Sequence, residues 1–226
     1  KPSDAALAAF FRKVGTSEAQ VRTATQLNWY GKGLDADDAQ VIAYLLAKVM
    51  ASLTVLRLSS NNIGDVGMQA FSDAIRSGAL ASLQDLYLAN NLIGDAGLAT
   101  LAGAIGTSGA MANLTHLWLN HNKIGDAGLV AFAEALKSPI GAMASLQGLG
   151  LGGNRIGDAG LTALAGAIRT SGALGSLVDL ALGGNRIGDD GMKALSSAIA
   201  TGALGSLVEL TLFNHEIGAA GVTVLG

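Results

Sequence analysis

Apolar positions in this chain fall into two spacings, and the pair of spacings repeats. Leu53-x-x-Leu56-x-Leu58-x-x-Asn61-x-Ile63 returns as Leu83, Leu86, Leu88, Asn91, Ile93 and again as Leu114, Leu117, Leu119, Asn122, Ile124. Three more copies follow: Leu146, Leu149, Leu151, Asn154, Ile156; Leu177, Leu180, Leu182, Asn185, Ile187; and Leu207, Leu210, Leu212, His215, Ile217. A degenerate earlier copy reads Leu27, Trp29, Lys32, Leu34. From Leu53 the copies are 30, 31, 32, 31 and 30 residues apart. Self-similarity at one period marks stacked repeats.

Each part of the unit predicts an element. Leu-x-Leu is the period of a strand and puts both leucines on one face. The Asn that follows can turn inward, where its amide satisfies backbone groups at the bend; His215 is expected to replace that amide in the last copy. Ile-Gly-Asp-x-Gly comes next, with Asp65, Asp95, Asp126, Asp158 and Asp189 expected as N-caps of the helices they open. Leu98, Leu101 and Ile105, and likewise Leu161, Leu164 and Ile168, keep helical spacing. Turns such as Thr107-Ser108-Gly109 and Thr170-Ser171-Gly172 end the helices. A further apolar residue (Leu80, Met111, Met143, Leu174, Leu204) leads into the next strand.

One strand and one helix cannot bury their own apolar faces, whereas stacked units can. The unit resembles the leucine-rich repeat of the ribonuclease-inhibitor type across roughly residues 26–226. The resemblance implies an α/β leucine-rich-repeat solenoid, with a curved parallel sheet inside, helices outside and right-handed connections. It departs in length, with extra residues such as Ser138-Pro139-Ile140-Gly141 after a helix. Residues 1–25 lie outside the repeat; there Leu7, Phe10, Phe11 and Val14 form an apolar helical stripe, read as an N-terminal cap. Gly221-Val222-Thr223-Val224-Leu225 starts a helix that other units continue, so the last unit reads as incomplete, with more protein, disorder or a partner expected beyond it.

Residues that flank the strand leucines face out onto the concave sheet. The position between the leucines reads Asn28, Arg57, Tyr87, Trp118, Gly150, Ala181, Thr211; the one before reads Gln26, Val55, Asp85, His116, Gly148, Asp179, Glu209. The following one reads Tyr30, Ser59, Ala89, Asn120, Gly152, Gly183, Phe213. Large and polar side chains gather in the first four units: Tyr30, Arg57, Asp85, Tyr87, His116, Trp118 and Asn120. Tyr, Trp and Arg are common interface anchors, so these seven are the candidate partner-binding residues. The glycine- and alanine-built units that follow read as a smoother floor, either open to a partner's backbone or neutral spacing.

Composition narrows the function. Half the residues are hydrophobic, 14% charged and 4% aromatic, which suits a repetitive aliphatic core. No window approaches a membrane span. A net charge of −3 without a Lys/Arg run argues against nucleic acid. Absence of cysteine excludes disulfides and thiolate chemistry. There is no secretory h-region and no initiator Met, so an intracellular setting and a processed or partial chain are expected.

Several motifs mimic chemistry. Gly148-x-Gly150-x-x-Gly153 satisfies the dinucleotide pattern, but its leucines keep the strand register and the helix starts too late for a pyrophosphate. Gly-Gly-Asn…Gly-Asp at 152–158 and 183–189 lacks the tandem spacing of calcium-binding nonapeptides. His116 and His121, with Asp85 one strand away, are a conceivable metal or acid–base group without a nucleophile or second carboxylate. Asn113-Leu114-Thr115 is a glycosylation sequon that matters only in a secreted chain. No cofactor is implied. The expected function is a non-catalytic module binding a protein partner on the concave face; the alternative is an accessory subunit contacting neighbours through its helices and open C-terminal edge.

Overall fold

The computed structural model describes residues 1–109, 111–138 and 143–213. His215, Ile217, residues 221–225 and the Pro139-Ile140-Gly141 insertion therefore lie outside the described residues. Two short helices open the chain, α1 (Asp4–Val14) and α2 (Glu18–Thr23), and strand–helix units follow. These are β1 (Gln26–Asn28) with α3 (Ala36–Lys48), β2 (Val55–Arg57) with α4 (Gly64–Arg76), and β3 (Asp85–Tyr87) with α5 (Asp95–Ser108). They continue as β4 (His116–Trp118) with α6 (Asp126–Leu136), β5 (Gly148–Gly150) with α7 (Asp158–Ser171), β6 (Asp179–Ala181) with α8 (Asp189–Ala200), and β7 (Glu209–Thr211).

The strands form one parallel sheet in sequence order, β1 to β7. Equivalent leucines pair across every step, Leu27 with Leu56, then Leu86, Leu117, Leu149, Leu180 and Leu210. This leucine register is the origin of the fold: β1 to β6 bury their leucines on the side of the sheet that faces the helices and present their flanking residues on the opposite face. Leu98, Leu101 and Ile105 of α5 and Leu161, Leu164 and Ile168 of α7 are all buried in the same continuous core. Gly109 and Gly172 end α5 and α7 in the left-handed conformation that lets the chain reverse.

The asparagines form a buried ladder, as the sequence pattern predicts. Asn122 accepts at Oδ1 from the amides of Asn91 (2.9 Å) and Ile93 (3.0 Å), and its Nδ2 donates to the carbonyls of Leu88 and Leu119, both 3.0 Å away. Asn154 and Asn185 each repeat the bond from the isoleucine amide and the two bonds to leucine carbonyls, one unit further on each time.

The capping aspartates differ from expectation. Asp95 does not cap the helix it opens. Its Oδ1 accepts from Gly125 (2.6 Å) and Gly128 (2.9 Å), the N-cap and third residue of α6 in the next unit. Asp65 does the same for α5, Asp126 for α7 and Asp158 for α8. The physical reason is the glycine on either side: with no side chain at Gly125 and Gly128, the neighbouring carboxylate reaches the first amides of α6 and meets the positive end of that helix. Asp35 does cap its own helix, in a reciprocal box with Asp38. The backbone amide of Asp38, chief among several donors, holds the Asp35 carboxyl below its ordinary range.

At the start of the chain, Phe10, Val14 and Val21 are buried and the Phe10 ring meets Trp29 edge-on at 5.1 Å. Lys13 pairs with Asp38 of α3, tying α1 to the first repeat helix.

Candidate protein-binding surface

The seven sequence-predicted residues all stand on the open face of the sheet or at its edge, and the structure joins five of them into two groups through three contacts. On β2 and β3 the Arg57 guanidinium lies 5.2 Å above the centre of the Tyr87 ring, a cation–π arrangement between adjacent strands. On β3 and β4 the Asp85 carboxylate is 2.7 Å from His116 Nδ1, and the Thr115 hydroxyl donates to the same oxygen at 3.0 Å. His116 in turn stacks on Trp118, with ring centroids 6.2 Å apart and planes 12° from parallel. Asn120 extends the row, its Oδ1 accepting from the Gly152 amide at 2.8 Å. Tyr30 is exposed and joins none of these contacts.

The side chains of β4 do not stand straight up. They lean over β5, where the sequence supplies glycine. A Cβ added at Gly148 would sit 2.6 Å from His116 Cδ2, and one at Gly150 would overlap the Trp118 ring and come within 2.5 Å of Asn120 Nδ2. Gly148 and Gly150 are consequently buried. The glycine strand is therefore a seat for the preceding unit's aromatic residues, and for β5 this replaces both readings of a smooth floor, open or neutral. Per-position reading missed it because each residue's lean along the sheet is a property of two units together.

An expected result follows from this seat. Gly150→Ala leaves the leucine core untouched but displaces Trp118. The chain has two tryptophans, of which Trp29 is 1% exposed. Acrylamide quenching of tryptophan fluorescence is thus expected to rise in G150A, with a stability change under about 1–2 kcal/mol. Unchanged quenching would show that the ring has another resting place.

Acidic residues flank the patch. Burial raises the carboxyl of Asp179 above its ordinary range, the neighbouring Glu209 adds to the rise, and His116 opposes it. His121 sits apart from His116, on the bend after β4 with a φ of +55° and its ring over Gly153. Among the described residues no cluster of three or more His, Asp or Glu side chains is arranged to hold a metal ion. Nor is any described helix long and apolar enough to cross a membrane.

A second surface feature went unread in the sequence. The residue after each ladder asparagine is Lys123, Arg155 and Arg186 in three successive units, all exposed. Following that single position down the repeats would have found it.

Alternating strands and helices, a leucine register through the sheet and an asparagine ladder from Asn61 to Asn185 define a repeat solenoid. A Leucine Rich repeat family model matches residues 49–72, 79–102, 110–133, 142–165 and 176–196, more than half of the chain, and the chain belongs to the leucine-rich-repeat family. No curated protein sequence matches it. Leucine-rich repeats generally mediate protein–protein interaction, and proteins built from them are typically non-catalytic.

Proposed function

We propose that this chain is a non-catalytic interaction module that holds a protein partner on the concave sheet face through Tyr30, Arg57, Asp85, Tyr87, His116, Trp118 and Asn120. The carrying observation is the seating of Trp118 and His116 over Gly148 and Gly150, together with the Asp85 bond to His116. Half-exposed aromatic side chains that are already fixed lose little freedom on binding, which favours affinity. The reading includes the ribonuclease-inhibitor-like subtype, whose helices face each strand; here α4 to α8 run 11–14 residues. It also takes residues 1–25 as an N-terminal cap and residues 26–226 as the repeats.

The test compares the wild-type chain with a Tyr87→Ala/Trp118→Ala double variant as baits in native extract, with captured proteins identified by mass spectrometry. A partner specific to the wild type is expected to bind the double variant at least tenfold more weakly, since two anchors of about 1–2 kcal/mol each are removed. Equal recovery on both baits overturns this assignment of the surface.

A further inference from the structure

The geometry points to a second recognition strip, on the C-terminal half of the sheet's edge, that takes a short, extended, acidic protein segment carrying one apolar side chain. It borders the aromatic patch at Asn120 but takes its charge and its apolar groove from other residues.

The strip begins with a row of cations. Lys123, Arg155 and Arg186 occupy equivalent backbone positions, each amide bonding to the carbonyl of Ile93, Ile124 or Ile156 in the preceding unit at 2.7 Å. Neighbouring strands of a sheet lie about 4.8 Å apart, so the row spans about 10 Å. All three side chains are exposed, and among the described residues none is within ion-pair distance of a carboxylate. The nearest acidic residues in sequence to Lys123 and Arg155 are Asp126 and Asp158, and both carboxylates are already engaged by two amides at the start of the next helix. Those negative charges are compensated by helix ends. The cations are not, and three like charges in a row gain from a shared anion.

Beside the row runs a groove of about 340 Å³. Asn120, His121, Gly153, Ala181, Gly184 and Phe213 are among the residues that line it. Phe213 is 64% exposed. Gly153 and Gly184 are two residues along the chain from Arg155 and Arg186, which puts the groove within roughly 7 Å of the cations at the backbone. A groove whose backbone lies this near a row of cations suits an apolar side chain flanked by carboxylates.

Charge and size choose the occupant. The chain carries a net −3, and Asp85, Asp179 and Glu209 line the opposite end of the strands. A broad polyanion would meet that acidic row, whereas a narrow acidic segment along the basic edge would not. Extended chain advances about 3.3 Å per residue, so about four residues span the row, and carboxylates two residues apart are about 7 Å from each other.

Fluorescence anisotropy with a labelled EEFEE peptide tests the proposal, using KKFKK, phosphatidylserine vesicles and heparin as comparison probes. EEFEE is expected to bind saturably and to weaken as salt rises. The K123Q/R155Q/R186Q variant, whose changes are on exposed side chains, is expected to bind at least about tenfold more weakly. Ala181→Trp, which fills the groove and leaves the cations, is expected to weaken EEFEE comparably, while Tyr87→Ala leaves it unchanged. Absence of EEFEE binding, equal binding by the triple variant, or preference for vesicles or heparin over EEFEE overturns the strip as a peptide site. Circular dichroism of each variant confirms that it is folded.

Discussion

Asn122→Ala is expected to lower the unfolding free energy by about 3–5 kcal/mol, read from urea denaturation followed by circular dichroism. Asn122 is only 8% exposed, yet it meets four backbone groups on three segments: the amides of Asn91 and Ile93 and the carbonyls of Leu88 and Leu119. Alanine removes every one of these bonds and leaves no side chain to replace them. An unmet buried polar group costs about 1–3 kcal/mol, and the slight exposure of the site relieves part of that. Because the residue links two units, the loss is a nearest-neighbour term and weakens the stack in its middle.

The near-isosteric Asn122→Asp variant separates hydrogen bonding from volume. The carboxylate keeps the acceptor toward Asn91 and Ile93 but faces the carbonyl oxygens of Leu88 and Leu119 where the amide had donated. Burial and those carbonyls disfavour its charged form, so the folded-state pKa of the introduced acid lies above the unfolded value of about 3.9. Linkage then fixes the sign. The variant's deficit is smallest below the unfolded pKa and grows as pH rises through the window up to the folded pKa. Denaturation midpoints at pH 4 and pH 7 check this. A deficit independent of pH, or a loss under about 1 kcal/mol in N122A, would mean that water substitutes for the ladder.

Much of this molecule was legible because strand and helix periods differ. Leu56 and Leu58 two residues apart, then Met68, Phe71 and Ile75 at helical spacing, can satisfy only one alternation of elements, and all five are buried. Asn61, Asn91 and their equivalents were legible for a related reason: an amide recurring between apolar residues must find backbone partners. What escaped was everything that depends on the neighbouring unit. In a chain with a period near 30, a carboxylate capping its own helix and one capping the next leave the same sequence trace, so Asp95 reads as a cap of α5 although it caps α6. The same degeneracy hid the β5 seat. Gly148 and Gly150 look empty when read down one column and become explicable only beside His116 and Trp118. The Lys123–Arg155–Arg186 row was hidden differently, since it lies on the bend after the ladder asparagine and outside the outward positions of the strands.

The largest effect expected from a single added group falls at the second glycine of the Ile-Gly-Asp-x-Gly motif. Gly128→Val is expected to cost about 3 kcal/mol or more, through overpacking and the loss of the shared cap. A Cβ at Gly128 would stand 2.7 Å from Asp95 Oδ1 and 2.9 Å from Asp95 Cα. The carboxylate cannot swing away freely, because Gly125 and Gly128 both donate to it. The backbone contact cannot be relieved at all without moving α6 away from α5. The loss is expected although valine is a better helix residue than glycine, since the intrinsic preference amounts only to some tenths of a kcal/mol. Gly166, in the middle of α7 with nothing beyond its own helix backbone within 4 Å of an added Cβ, is the matched control: Gly166→Ala is expected to raise stability by about 0.5–1 kcal/mol. Equal urea midpoints for G128V and the wild type would show that the helices can separate at this step, and the motif's second glycine would then owe its place to something other than the approach of Asp95.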